Sequence, residues 1–123
     1  MQGIKAYEKS SNQAATNEQL VLRAFEKAIT LMWEARDCLA DGDKLGAIEP
    51  LHTTRLIFTE LNSSLDEEGG ELSIQLRQLY TFILREISSA GFEGQVSSLE
   101  NAISVAEELY EGFFHAFTQE NQI

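Results

Sequence analysis

The sequence predicts an all-α protein: an antiparallel four-helix bundle preceded by a short arm or extra N-terminal helix. Apolar residues recur at three- and four-residue intervals in four separate stretches. Short turns rich in glycine and acidic residues divide those stretches, at Asp41-Gly42-Asp43, at Asp66 to Gly70 and around Gly91 to Gly94. No alternating pattern or hairpin signal competes. Short connections between helices favour antiparallel neighbours.

Residues 1–15 are polar and small and carry no periodic apolar face, so they read as a flexible arm ahead of a bundle domain over 16–123. Ile4 and Tyr7 stand out in it, one helical turn apart, as side chains that either cap a groove or stay exposed.

The first helix opens at Thr16, whose hydroxyl can accept from the Gln19 backbone while the Gln19 amide reaches back, a capping box. Val21, Phe25, Ala28, Met32, Ala35 and Leu39 form its face, broadened by Leu22, Ile29 and Trp33. Gly42 ends it and Asp43 is the next N-cap. In the second stretch Pro50 removes a backbone donor and crowds the Gly46 carbonyl, predicting either a kink or a regular helix that starts only near Pro50. Leu51, Thr54, Phe58, Leu61 and Leu65 follow at helical spacing. Gly69-Gly70 could cradle an anion, but three acids precede it, so turn chemistry is the better reading. The third helix runs from about Glu71, with Leu72, Leu76, Leu79, Ile83 and Ile87 on one seam and Tyr80 and Phe82 beside it. Gly91 and Gly94 bracket Phe92 in an expected turn. The fourth opens on a second capping box, Ser97 to Glu100, stapled by Val96, and carries Leu99, Ile103, Ala106, Tyr110, Phe113 and Phe117.

The chain holds 123 residues, with 9 Lys+Arg against 20 Asp+Glu and a net charge of -11. Nucleic acid and anionic lipid both require clustered basic side chains, so neither is an expected partner. Arg85 is the last basic residue; the acids from Glu93 to Glu120 follow it and predict an end of single sign. The single cysteine, Cys38, lies in an apolar helical stretch and reads as a core residue. No apolar leader and no membrane-length run is present, which points to a cytoplasmic setting.

Catalytic chemistry finds little support. Glu49 and His52 make one Glu-x-x-His, and Glu111 and His115 lie one turn apart. Di-iron bundles need two Glu-x-x-His motifs plus two further inward Glu residues. Phosphate loops and nucleophile elbows are missing. The expectation is no enzyme, no catalytic residue, no metal and no cofactor. Binding remains: helices with wide apolar faces can use the surplus to grip amphipathic segments.

One stretch carries a family resemblance. Glu60-Leu61-Asn62-Ser63-Ser64-Leu65-Asp66-Glu67-Glu68-Gly69-Gly70-Glu71, followed by Gln75-Leu76-Arg77-Gln78-Leu79-Tyr80, resembles the signature of the flagellar secretion chaperone FliS family. Ala6-Tyr7, Glu18-Gln19-Leu20, Ala28-Ile29 and Gly42-Asp43 fit in the same order. The chain departs from that family at Thr16-Asn17, where a Ser-Pro is usual, at Ala24-Phe25-Glu26-Lys27, where Leu-Tyr-Asp-Gly is frequent, and at Pro50.

The resemblance implies a flagellar export chaperone that binds the disordered C-terminal segment of flagellin in hydrophobic grooves. It thereby prevents premature polymerisation and aids type III export. Partners so implied are flagellin and components of the export gate, with the chaperone a monomer or homodimer. The groove residues expected from the motif are Ile57, Leu61, Leu65, Leu72, Leu76, Leu79, Tyr80 and Ile83, with Ile4 and Tyr7 as a plug when no client is bound. The alternative is a helical regulatory adaptor of the same fold with a different protein partner.

Overall fold

The computed structural model describes residues 15–121. Its four helices are α1 (Asn17–Ala40), α2 (Lys44–Ser63), α3 (Gly70–Glu93) and α4 (Val96–Asn121), and no strand occurs among the described residues. Each helix packs on two neighbours: α1 on α2 and α4, α3 on α2 and α4. The diagonal pairs meet only through long side chains in the core, so the backbones form a square ring of antiparallel neighbours. The arm residues Ile4 and Tyr7 lie outside the described residues.

The predicted caps explain where α1 ends and α2 begins. The Gln19 N–H donates to Thr16 Oγ1 at 3.1 Å and the Thr16 N–H to Gln19 Oε1 at 3.2 Å, completing the capping box. Gly42 takes φ +80 in the turn, a conformation that costs glycine little. Asp43 then accepts from the Gly46 N–H at 2.9 Å. A Cβ at Gly46 would collide with that carboxylate, so the glycine makes room for the cap.

Three expectations are corrected. Of the two expectations for Pro50, a regular helix starting there is overturned: α2 is helical from Lys44 onward with Pro50 inside it. The Pro50 carbonyl accepts from Thr54 Oγ1 at 2.8 Å, which satisfies the one buried hydroxyl of that seam. Gly91 and Phe92 are not a turn. α3 continues through both and stops at Gly94, in the left-handed region at φ +66. Neither backbone nor packing demands glycine at 91: a Cβ there would meet Leu51 Cδ1 at 3.8 Å, ordinary contact distance. α4 begins at Val96, so Ser97 is its second residue rather than its cap. Ser98, buried, donates to Gln95 Oε1 at 3.3 Å.

The core follows the predicted faces. Phe25, Ala28, Met32, Ala35 and Leu39 of α1 are buried, as are Leu51 and Phe58 of α2, Tyr80, Ile83 and Ile87 of α3, and Leu99, Ala102, Ile103 and Ala106 of α4. Phe25 is the hub of an aromatic cluster that draws on every helix. Its ring lies 5.6 Å from Phe58, 6.2 Å from Tyr80 and 5.6 Å from Phe113, in tilted or edge-on arrangements. Such geometry adds about 0.5–1.5 kcal/mol per pair to simple burial.

Candidate functional site

The ring of helices has four seams, and two of them are built in opposite ways. At the α1/α4 seam, polar side chains reach across at successive heights. Arg36 Nη2 lies 3.1 Å from Glu100 Oε2, with Arg36 Nε donating to the same oxygen at 3.2 Å. Trp33 Nε1 donates to Glu107 Oε2 at 3.2 Å, and the Tyr110 hydroxyl to Glu26 Oε2 at 2.6 Å. The bond to Glu26 holds the Tyr110 phenol above its ordinary pKa, with burial adding to it. Bonds to Glu100 and Asp37 push the Arg36 guanidinium up likewise. Part of the acidic character after Arg85 is therefore committed: Glu100 and Glu107 accept from α1.

The α2/α3 seam is open. A cleft of about 300 Å³ lies between Ile48, Leu51, His52 and Arg55 on α2 and Ile87, Ser88, Gly91 and Phe92 on α3, with Leu39 and Ala47 at its floor. This is the low end of the size range for ligand pockets. Two of its walls are apolar side chains left in solvent, Ile48 at 60% and Phe92 at 88% exposure. A second concavity of about 460 Å³ lies on the outer face of α3, lined by Ile74, Arg77, Gln78, Thr81 and Arg85. At the α1/α2 seam a third hollow of about 520 Å³ is lined by Leu31, Leu45, Pro50 and Thr53, with Lys27, Glu34 and Glu49 at its edge.

The titratable groups do not converge. Glu49 borders the α1/α2 hollow while His52 borders the α2/α3 cleft, so the Glu-x-x-His pair is divided between two faces. Glu111 and His115 are exposed on α4. Among the described residues no three His, Cys, Asp or Glu side chains gather as a metal site would require. Cys38 is half-buried, and burial raises its thiol pKa, with Asp43, Asp41, Asp37 and Glu34 adding to the effect. A thiol so placed is held in its unreactive protonated form.

The eight groove residues expected from the motif fall into distinct environments. Leu76, Tyr80 and Ile83 are buried in the bundle core, where a client could reach them only if the helices parted. Burial alone pushes the Tyr80 hydroxyl up to about 12. Ile57 is half-buried and shares an edge of α2 with Thr53 and Pro50, which line the hollow against α1. Leu79 is half-buried on the side of α3 away from α2, since Arg77, two positions before it, reaches Asn62 of α2. Leu61, Leu65 and Leu72 lie at the end of the bundle capped by the α2–α3 turn, the first two half-buried and Leu72 62% exposed. The structure thus brings Leu61, Leu65 and Leu72 to one end and separates the others. Ile48, Arg55, Ser88 and Phe92, which line the α2/α3 cleft, do not belong to the motif seam. Their signal in the sequence is weak but present: Ile48 and Phe92 are apolar residues out of phase with the buried stripe of their helices.

A helical bundle with an open apolar cleft and surface-exposed Ile48, Leu56, Leu72, Ile74 and Phe92 belongs to the class of helical binding proteins. Comparison with known proteins gives the family. The family model described as "Flagellar protein FliS" matches residues 1–120. The flagellar secretion chaperone FliS of Salmonella typhimurium (strain LT2) is 28% identical over 117 residues, covering 90% of this chain and 87% of that protein. A solved bacterial flagellar chaperone superposes with a TM-score of 0.78 over 95% of this chain and 98% of its own, at 18% identity, and shows the fold is shared. The chain belongs to the FliS family, a family of flagellar export chaperones and not of enzymes.

Proposed function

We propose that this chain is a cytoplasmic chaperone for flagellin, binding its disordered C-terminal segment and holding it unpolymerised until export. The observation that carries this reading is the open α2/α3 cleft, with Ile48 and Phe92 in solvent at its walls. Ordering a disordered client costs conformational entropy at every residue fixed, so the receiving surface must offer apolar area in proportion. Leu61, Leu65 and Leu72 at the far end of the same two helices would lengthen the track, with Ile57 and Leu79 on its outer edges. No helix among the described residues is long and apolar enough to cross a membrane, which agrees with a cytoplasmic setting. Ile4 and Tyr7 are read as a plug that competes with the client for apolar surface.

Calorimetric titration with the C-terminal segment of flagellin from the same source tests the reading. A one-to-one complex in which the segment gains helix supports it, and absence of heat and of any spectral change at high micromolar concentration overturns it. Deleting residues 1–15 should raise the association rate; an unchanged rate removes the plug from the account.

A further inference from the structure

The chain carries a net charge of -11, yet its α2/α3 face is basic. Lys44 and Arg55 line the cleft, Arg77 and Arg85 line the separate concavity on α3, and no Asp or Glu lines either among the described residues. The described ion pairs all use Arg36, at the opposite seam. Lys44 is partly engaged: its side chain lies over Gly94, where a Cβ would meet Lys44 Cε at 3.1 Å, beside the negative end of the α3 dipole. Among the described residues Arg77 donates only to the neutral Asn62 amide oxygen, at 3.4 Å. Arg55 and Arg85 have no carboxylate partner among the described residues.

We propose that this face selects for carboxylates: its occupant is an amphipathic protein segment whose bulky apolar side chains seat between Ile48 and Phe92 while its Asp or Glu residues meet Arg55, Arg77 and Arg85. The proposal rests on the reading of the α2/α3 cleft as the client face and adds the charge of the client. Arg77 and Arg85 are separated by about 12 Å along α3, so carboxylates about two helical turns apart on a docked helix match them. Guanidinium groups suit this task because their planar fork meets a carboxylate bidentately. The acidic remainder of the surface repels a client that docks elsewhere, so the basic face gives register and partner choice more than raw affinity.

The test uses the full chain and a pair of synthetic amphipathic peptides of about 18 residues, or five helical turns. Both have leucine at helical spacing; one has Glu on its flanks and the other Lys. Net charge alone predicts that the Lys peptide binds more tightly. The basic face predicts the reverse, with the Glu peptide preferred by about tenfold at low salt and the preference shrinking as salt is raised. The combined Arg55→Gln, Arg77→Gln and Arg85→Gln variant should lose that preference, while Arg23→Gln with Lys27→Gln on α1 should keep it. Preference for Lys, equal binding or no binding of either peptide overturns the proposal, as does sedimentation with phosphatidylglycerol vesicles in place of Glu-peptide binding. If wild type and the triple variant bind the flagellin segment equally, carboxylate selection fails and the chaperone reading stands. If the flagellin segment does not bind but the Glu peptide is preferred, the chaperone reading fails and the selection stands.

Discussion

The α1/α4 and α2/α3 seams are both antiparallel contacts between long helices around one core, but they use their surface residues differently. At α1/α4 the donors Arg36, Trp33 and Tyr110 each find a carboxylate on the facing helix, and the seam is closed. At α2/α3 the single polar bridge among the described residues is Arg77 to Asn62, and the space near Lys44 and Phe92 is left open. The difference shows that the acid-rich fourth helix, which reads in sequence as a solvated end of one sign, is partly structural. The clefts lined by Lys44, Arg55, Arg77 and Arg85 are the ones from which carboxylates are missing among the described residues.

Four substitutions or conditions break or sharpen this contrast, in descending size of effect. Phe25→Ala should be the most damaging, because its fully buried ring touches Phe58, Tyr80 and Phe113 and so supports both seams. Large-to-alanine changes at such sites cost about 3–5 kcal/mol, visible as a large drop in urea midpoint. Alkaline pH probes the core beneath the open face. The Tyr80 hydroxyl is raised by burial to about 12, so its folded state holds the proton more tightly than the unfolded state does. Its contribution is complete below about pH 10 and is lost as pH rises from there through 12, on the order of 2–3 kcal/mol. Denaturation curves across that window should flatten in Tyr80→Phe relative to wild type.

A third change separates binding from stability. Ile48→Asp places a charge on the exposed wall of the cleft, and stability should move by only about 0.5 kcal/mol. Flagellin-segment affinity should fall about tenfold by titration, as for an anchor contact. Unchanged affinity would shift the client to another seam. The smallest effect belongs to the closed seam. Tyr110→Phe removes the bond to Glu26, but that pair is solvent-exposed, so the loss should be no more than about 0.5 kcal/mol by thermal melt, with client affinity unchanged.

Much of this architecture is legible in local sequence. Thr16 with Gln19, and Asp43 with Gly42, set helix boundaries through bonds spanning three residues, which is why the caps of α1 and α2 are readable without tertiary context. The apolar periods that predict buried stripes do so because a helix returns to the same face every three to four residues. Local rules fail where a distant element decides. Gly91 looks like a turn residue, but the helix continues through it to Glu93 and the left-handed stop falls at Gly94. Pro50 looks like a helix start, yet α2 already runs from Lys44, and the Thr54 hydroxyl donates to the Pro50 carbonyl. The motif seam that suggested a groove supplies core at Leu76, Tyr80 and Ile83, because the stripe most visible in sequence is the one the bundle buries.

Sequence by itself determined that this is a helical bundle with no strand signal, where its first two helices are capped, and to which family it belongs. Those properties rest on period, capping chemistry and a contiguous motif, all local along the chain. Only the tertiary structure decided which seams close and which stays open. That outcome depends on pairs far apart in sequence: Arg36 meets Glu100 and Trp33 meets Glu107, while Arg55 and Arg85 meet no carboxylate among the described residues. Charge counted along the chain sums to -11, but charge felt by a partner depends on which side chains share a face.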